Sequence, residues 1–421
     1  MTIKTIYQAF LECNSVSTDT RKISMNSMFF ALRGENFNGN TFAYKALKKG
    51  AKYTVVDEKE YANNENCILV NNVLETLQNL ATFHRKTINI PIIALTGSNG
   101  KTTTKELINA VLSTTYKTSA TKGNLNNHIG VPLTLLEMTK DTQIGIVEMG
   151  ANHQKEISFL SNITLPDYGL ITNFGKAHLE GFGGVEGVIK GKSELYEHLK
   201  ANNKTIFVNT NDRIQINQVG NYDKIIAFGS EIKMTSSQPY VNLNFDGYTI
   251  KSNITGAYNY NNIAVAIAIG KQFKVNEAAI VEAIENYIPS NNRSQIIEKK
   301  SNKIILDAYN ANPTSMKAAL DNFSNLSEKN KIAILGDMFE LGDDTDKEHQ
   351  YISDYASQLD IDKIYLVGEH FSRTELNSKK INSFKLFKDL KTELTKQSII
   401  DSLLLIKGSR GMALERTLEV F

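Results

Sequence analysis

The residues best placed to do chemistry are a lysine and the hydroxyls that follow it behind a glycine turn. In Pro91-Ile-Ile-Ala-Leu-Thr-Gly-Ser-Asn-Gly-Lys-Thr-Thr-Thr-Lys105 an apolar run leads into Gly97, Asn99 and Gly100, and Lys101, Thr102 and Thr103 follow at once. That is the order of a buried strand, a tight turn and a helix start. Such a junction binds phosphate, because glycines let the backbone approach an anion and the free N–H groups of the first helical turn point at it. Lys101 would neutralise the β- and γ-phosphates, and the hydroxyl of Thr102 or Thr103 would ligate Mg2+. The loop is a variant, since Leu95 stands five before Gly100 where the general pattern has glycine. The plainer alternative is an ordinary glycine turn, but Gly-Lys-Thr-Thr after a strand is rare without a nucleotide.

Three more side chains belong with it. Glu148 closes the apolar run Ile144-Gly-Ile-Val-Glu-Met-Gly150. Parallel strands bring their carboxyl ends to one edge, so this carboxylate could ligate Mg2+ directly or through water; a merely solvated strand end is the alternative. His178 sits in the glycine-rich stretch Asn173-Phe-Gly-Lys-Ala-His-Leu-Glu-Gly-Phe-Gly183, which suits a core histidine poorly, although Mg2+ prefers oxygen ligands. Lys192, in Val188-Ile-Lys-Gly-Lys-Ser-Glu-Leu-Tyr196, reads by itself as an exposed helical lysine.

The elements that must position these groups form three α/β blocks. Up to residue 88 the chain alternates short apolar strands (Ser27 to Leu32, Tyr53 to Val56, Cys67 to Val70) with helical stretches from Thr41 to Lys49 and from Val73 to Lys86. Ile90-Pro91 breaks the helical geometry. The second block, 89–290, continues from the phosphate loop through strands at Ile144, at Tyr168 to Asn173 and at Thr205 to Asn209, the pattern of a parallel sheet covered on both faces. A polar alternating section from Lys233 to Ser252 reads as an antiparallel appendage, and Asn259 to Lys271 as a helix of small residues. After Tyr287-Ile-Pro-Ser-Asn-Asn292 a third block, 291–421, carries strands starting at Lys303, Lys331, Lys363 and Ser402, each followed by a helical pattern. It reads as a doubly wound, Rossmann-like unit with its ligands at the strand carboxyl ends.

Composition narrows the partners. At 421 residues the chain suits about three domains. Its net charge of +2 gives no electrostatic case for nucleic acid or an anionic membrane, so small molecules are expected. Cys13 and Cys67 show no metal-like or CxxC spacing, which points to reduced thiols in a cytoplasmic protein. No apolar run reaches about 18 residues, and Met1-Thr-Ile-Lys4 lacks the order of a signal peptide. A cytosolic chain, and a monomer, are expected.

Eight segments, taken in order, resemble the Mur ligases of peptidoglycan synthesis: Thr96-Gly-Ser-Asn-Gly-Lys-Thr-Thr103, Val147-Glu-Met-Gly-Ala-Asn-His153, Ala177-His-Leu-Glu-Gly-Phe-Gly183, the Lys192 segment, Tyr258-Asn-Tyr-Asn-Asn262, Asp307-Ala-Tyr-Asn-Ala-Asn-Pro-Thr-Ser-Met316, Gly336-Asp-Met-Phe-Glu-Leu-Gly342 and Lys407-Gly-Ser-Arg-Gly411. Within that family, Ser17-Thr-Asp-Thr-Arg21, Phe29-Phe-Ala-Leu-Arg-Gly34 and Tyr309-Asn-Ala-Asn-Pro313 are most similar to the branch that joins D-alanyl-D-alanine to UDP-N-acetylmuramoyl-tripeptide. The resemblance implies a UDP-binding first domain, a central ATPase-like domain and a third domain for the incoming dipeptide.

It also implies roles. ATP phosphates would lie on Gly97, Asn99, Gly100, Lys101, Thr102 and Thr103, and Mg2+ would be held by Thr102, Glu148 and His178. Asn259 and Asn262 resemble adenine-side contacts, Arg293 the linker arginine near the phosphates, and Asp307 and Tyr309 further nucleotide contacts. Asn310, Asn312, Asp337 and Arg410 would serve the acceptor side, and Ser17, Thr18, Arg21, Arg33 and Gly34 the UDP part. Where the family often has glycine before the linker arginine this chain has Asn292, which tolerates left-handed geometry. The lysine matching Lys192 is typically carbamylated in the family, an anion that could hold metal or position phosphate where an ammonium would be repelled.

The implied reaction is attack of the tripeptide carboxylate on the γ-phosphate to give an acyl phosphate, then attack by the dipeptide amine. The rivals are another Mur-type or folylpolyglutamate-type ligase and a nucleotide-switch protein. A guanine reader would carry Asn-Lys-x-Asp where this chain has Asn209-Thr-Asn-Asp212.

Overall fold

The structure is a computed structural model and describes residues 1–290 and 292–421. Asn291, at which the third block is expected to begin, lies outside the described residues.

The first block is built on a four-stranded parallel sheet in the order Ser15–Ser17, Ser27–Phe30, Ala51–Val56, Cys67–Leu69. Its Ser15–Ser17 edge and the small hairpin of Arg33–Gly34 with Phe37–Asn38 are too short for an alternation pattern to reveal. Helix Val73–Ile88 starts where the Asn72 side chain accepts the Glu75 N–H and ends in left-handed Asn89, just before Pro91. This helix fastens the first block to the second. Arg85, buried, donates to Asp167 at 2.7 Å and to the Thr164 and Leu165 carbonyls, and His84 Nε2 lies 2.7 Å from the Met138 carbonyl.

The central sheet has six parallel strands in the order Ile225–Phe228, Thr205–Asn209, Tyr168–Ile171, Ile92–Thr96, Ile144–Glu148, Thr118–Ala120. Strand Ile92–Thr96 is buried at every position, as a strand covered on both faces must be. Its register opposes Leu95 to Glu148 and Thr96 to Ile171, so three strand ends and the loops after them open on one edge. Helix Lys101–Ser113 covers one face and packs on helix Tyr260–Gln272. The latter is buried and apolar from Ile263 to Gly270, and small residues let the two helices close: a Cβ on Gly270 would sit 2.7 Å from Val111 Cγ1. The expected appendage is a three-stranded antiparallel sheet, Lys233–Ser236, Asn242–Phe245 and Tyr248–Lys251.

The third block is a six-stranded sheet in the order Gln295–Lys299, Asn302–Asp307, Leu403–Lys407, Lys331–Gly336, Lys363–Val367, Ile381–Phe384, antiparallel only at its first pair. The last strand in sequence thus lies in the middle of the sheet. Among the described residues no helix is long and apolar enough to cross a membrane.

Candidate active site

The carboxyl edge of the central sheet, the start of helix Tyr260–Gln272 and strand ends of the third block enclose a cleft of about 790 Å3. Its floor is the loop between Thr96 and Lys101. Gly97 has φ +145°, and a Cβ there would fall 2.0 Å from Thr172 Oγ1. Gly100, the residue before helix Lys101–Ser113, is left-handed with φ +79°. The Asn173 side chain straps the loop, accepting from the Asn99 N–H at 3.1 Å and donating to the Asn99 carbonyl at 2.9 Å. Lys101 folds back so that Nζ donates to the Gly97 carbonyl at 2.7 Å. Burial holds its ammonium below the ordinary lysine range, partly offset by the nearby Glu148 carboxylate, while the Arg293 charge adds to the depression.

Gly100 should be intolerant. An added Cβ would stand 2.8 Å from Asn262 Oδ1, and a side chain in that backbone region costs about 1–2 kcal/mol before any clash. Gly100→Ala is expected to weaken nucleotide binding about tenfold, measured by calorimetry with ADP.

Beside the loop, Thr102 Oγ1 donates to Glu148 Oε2 at 2.9 Å, and Asn126 Nδ2 holds the other carboxylate oxygen at 2.8 Å. Glu148 is 1% exposed, so the solvated reading of this strand end does not hold. A buried hydroxyl–carboxylate pair at the edge of a phosphate loop fits Mg2+, which takes one or two protein oxygens and completes its shell from phosphate and water. Among the described residues no group of three or more His, Cys, Asp and Glu could hold a metal by itself. His178 lines the same cleft with φ +54°, but its Nδ1 pairs with Glu340 of the third block, and that bond holds the Glu340 carboxyl below its ordinary range.

Lys192 is not the exposed lysine its local sequence suggests. It is fully buried in helix Val185–Ala201, donates to the Ala151 carbonyl at 3.0 Å and lies over the Phe182 ring at 4.8 Å. Burial first, and the Lys101 charge second, push its ammonium well below the usual range.

On the nucleotide side Asn262 Nδ2 donates to Asn259 Oδ1 at 2.7 Å, and Asn259 Nδ2 to the Thr255 carbonyl at 2.8 Å. Asn292 does adopt left-handed geometry, φ +58°, and Ser294 follows at +50°. Between them Arg293 stacks 3.7 Å above the Tyr309 ring, a contact worth about 2 kcal/mol where desolvated. The Ser294 N–H donates to Asp307 Oδ1 at 3.2 Å. In the paired register Asp307 faces Lys407, whose Nζ donates to Asp307 Oδ2 at 2.5 Å.

Of the residues singled out in the sequence, Asn99, Gly100, Lys101, Thr102, Thr103, Glu148, His178, Asn259, Asn262, Arg293, Asp307, Tyr309 and Asn310 line this one cleft. Gly97 and Lys192 lie just behind its lining. Asn312 is buried and bonded to Asn99 rather than opening toward an acceptor. Asp337, 1% exposed, spends its carboxylate on the His370 and Phe371 N–H groups at 2.9 Å each. Arg410 is exposed and paired with Glu415. The first-block residues do not line the cleft: Arg21 pairs with Asp19, Arg33 with Asp57 and Glu58, and Ser17, Thr18 and Gly34 lie near them in sequence. Sequence reasoning missed Lys407, Asn124, Asn126, Asn127 and His128 as cleft residues. The last four belong to Lys122-Gly-Asn-Leu-Asn-Asn-His128, whose density of amides directly after a strand was the available signal.

Three family models match the chain in succession: "Mur ligase family, catalytic domain" over residues 12–94, "Mur ligase middle domain" over 95–270 and "Mur ligase, glutamate ligase domain" over 292–410. The UDP-N-acetylmuramoyl-tripeptide–D-alanyl-D-alanine ligase of Bacillus subtilis strain 168 is 33% identical over 424 residues, covering 96% of this chain and 92% of its own length. A crystal structure of MurF from Acinetobacter baumannii superposes with a TM-score of 0.87 at 30% identity, covering 99% of this chain and 98% of that one. MurF ligase from Thermotoga maritima in complex with ADP gives 0.85 at 26% identity, with 98% and 97% covered.

Proposed function

This chain belongs to the Mur ligase family, and on that premise we propose that it joins D-alanyl-D-alanine to UDP-N-acetylmuramoyl-tripeptide, using ATP and releasing ADP and phosphate. What supports the reading is one cleft in which a phosphate loop, a buried hydroxyl–carboxylate pair and the strand ends of a separate sheet meet. A nucleotide switch has no need of that third wall. The family match over residues 12–94 favours a Mur ligase over a folylpolyglutamate-type enzyme.

In this mechanism an oxygen of the tripeptide's terminal carboxylate bonds to the γ-phosphorus as the bond to the bridging oxygen of ADP breaks. The dipeptide amine then attacks the acyl carbon, phosphate leaves, and the amine loses a proton. The first N–H groups of helix Lys101–Ser113 and the Lys101 ammonium stabilise the charge spread over the γ-phosphate oxygens. Thr102 and Glu148 would hold Mg2+, with His178 joining them if it leaves Glu340. When bound, that ion neutralises phosphate charge that Lys101 alone cannot. Asn259 and Asn262 receive the adenine side, Arg293, Asp307 and Tyr309 the rest of the nucleotide, and Asn310 the dipeptide. Ser17, Thr18, Arg21, Arg33 and Gly34 cradle the UDP part, with the Arg21 and Arg33 ion pairs opening to do so. The three units are residues 1–88, 89–290 and 291–421, each presenting one substrate, so that the site is complete only when all are loaded and water is kept from the acyl phosphate. The enzyme acts as a monomer in the cytoplasm, where ATP and nucleotide-linked precursors are found.

Purified protein given ATP and UDP-N-acetylmuramoyl-tripeptide should release ADP only when D-alanyl-D-alanine is added. Release with glutamate and a folate instead would reverse the assignment. Asn310, exposed beside the cleft, gives a finer expectation: Asn310→Ala raises the KM for D-alanyl-D-alanine about tenfold and the KM for ATP by much less. Equal changes in both would assign Asn310 to the nucleotide or to the fold.

A further inference from the structure

Helix Pro313–Ser324 of the third block begins against the phosphate loop, and the junction pairs Asn312 with Asn99 of the loop itself. Asn312 caps this helix: its Oδ1 accepts the Ser315 N–H at 2.9 Å while Ser315 Oγ accepts the Asn312 N–H at 3.1 Å. The cap consumes the acceptor and leaves the amide donor. That donor, Nδ2, reaches Asn99 Oδ1 at 2.7 Å, and Asn99 Nδ2 returns toward Asn312 Oδ1 at 3.5 Å. Asn312 is 5% exposed, so its amide has no ready water substitute, whereas Asn99 is only half-buried and lines the cleft.

Asn99 itself is held from the other side. Its N–H goes to Asn173 Oδ1 at 3.1 Å, and its carbonyl accepts from Thr172 Oγ1 at 2.6 Å and Asn173 Nδ2 at 2.9 Å. The loop backbone is therefore fixed by the second block, and the Asn99 side chain is what it offers to the third. A second contact lies alongside, where the Lys176 N–H donates to Thr314 Oγ1 at 2.9 Å. Between the two contacts Gly175 leaves no room: a Cβ there would meet Asn99 Nδ2 at 2.8 Å and Thr314 Cβ at 3.2 Å. The helix start is keyed into the crook of two second-block loops.

We propose that Asn312 is a positioning residue for the phosphate loop, acting through Asn99, and not a contact of the incoming dipeptide. Resting on the ligase reading above, this makes the seating of the acceptor-binding block a condition for full nucleotide affinity. Bound nucleotide and seated third block then favour each other equally, because coupling between two equilibria is reciprocal.

Two variants test it. Asn312→Ser keeps an oxygen that can cap the helix but is too short to reach Asn99. Gly175→Ala leaves Asn312 untouched and wedges a methyl against the Asn99 amide. Both should weaken ADP binding about five- to tenfold by calorimetry, the loss of one part-buried hydrogen bond. Both should raise the KM for ATP by a similar factor and leave the KM for D-alanyl-D-alanine at saturating ATP unchanged, a split that a general loss of structure would not give. Asn99→Ala combined with Asn312→Ser should be no worse than the worse single variant. A raised dipeptide KM with normal ADP affinity in Asn312→Ser would overturn the proposal, and so would wild-type ADP affinity in Gly175→Ala. If Asn312→Ser folds poorly, Gly175→Ala decides alone. The ADP titration needs no ligation, so failure of the ligase reading would appear separately, as wild-type protein that releases no ADP when the dipeptide is added.

Discussion

Lys101→Ala is expected to lower kcat by at least about a hundredfold, the loss typical of removing one preorganised charge-stabilising donor. The ammonium lies at the first residue of helix Lys101–Ser113, folded over the loop onto the Gly97 carbonyl at 2.7 Å. Its charge is held there at a cost: burial lowers its affinity for a proton, and Glu148 only partly restores it. A charge kept in spite of that cost is poised for an anion. As phosphate oxygens arrive, the Gly97 contact is exchanged for a stronger charge-assisted one, and the gain is greatest when negative charge builds on the γ-phosphate. The effect should therefore fall mainly on kcat. The helix should survive, because Leu107, Ile108, Val111 and Leu112 bury its inner face and none of them involves the lysine. Lys101→Arg restores charge but brings a planar fork to a site that holds a compact ammonium at 2.7 Å, so it should recover little. Steady-state rates at saturating ATP check this; a Lys101→Ala variant keeping more than about a tenth of wild-type kcat would mean that the loop does not serve catalysis.

How much of this was legible in the sequence depended on distance along the chain. The phosphate loop could be read because strand, turn, lysine and hydroxyls all lie between Pro91 and Lys105, and local backbone geometry dictates each of them. The pairing of Asp307 with Lys407 spans 100 positions and follows only from the strand order, which inserts Leu403–Lys407 beside Asn302–Asp307. No periodicity encodes that order. The edge strands Thr118–Ala120 and Gln295–Lys299 were missed because neither contains a fully buried position, so no face announces itself. Lys192 is different, because its burial was readable. Val188, Lys192, Leu195, Tyr196 and Leu199 recur at helical spacing and all face inward. The charge of the residue type obscured a position that the pattern had already placed inside. Asp337 and Asn312 show the converse: both stand at the ends of strands or helices where ligands gather, and both are used up by backbone N–H groups or by Asn99.

A fully buried lysine, whose ammonium is disfavoured first by desolvation and next by the Lys101 charge, invites chemistry that removes its positive charge. The lowered proton affinity of this amine would ease its attack on CO2: nitrogen would bond to carbon, one proton would leave to solvent, and a carbamate anion would result. The change would relieve two costs together, the buried ammonium and its repulsion from Lys101, and the anion would be available to position phosphate or to join Thr102 and Glu148 in holding Mg2+. Because the depressed pKa is what makes the amine available, modification should persist as pH rises from 7 to 9 and be lost in acid, where protonated amine and released CO2 are favoured. If Lys192 carries a carbamate that serves the reaction, Lys192→Ala is expected to lose more than about a hundredfold in kcat, the loss typical of removing one preorganised charge-stabilising group. It should regain part of that activity when a short carboxylic acid such as acetate or propionate is added to the buried gap, whereas Lys101→Ala should gain nothing from the same acids. Lys192→Met, which fills the volume without charge, should stay inactive and fold normally. The readouts are acceptor-dependent ADP release with and without the acid, and the 13C signal of protein equilibrated with labelled bicarbonate. Absence of a carbamate resonance together with no rescue of Lys192→Ala would leave Lys192 as a buried amine that serves only to donate to the Ala151 carbonyl at 3.0 Å, holding the loop after Glu148 in place.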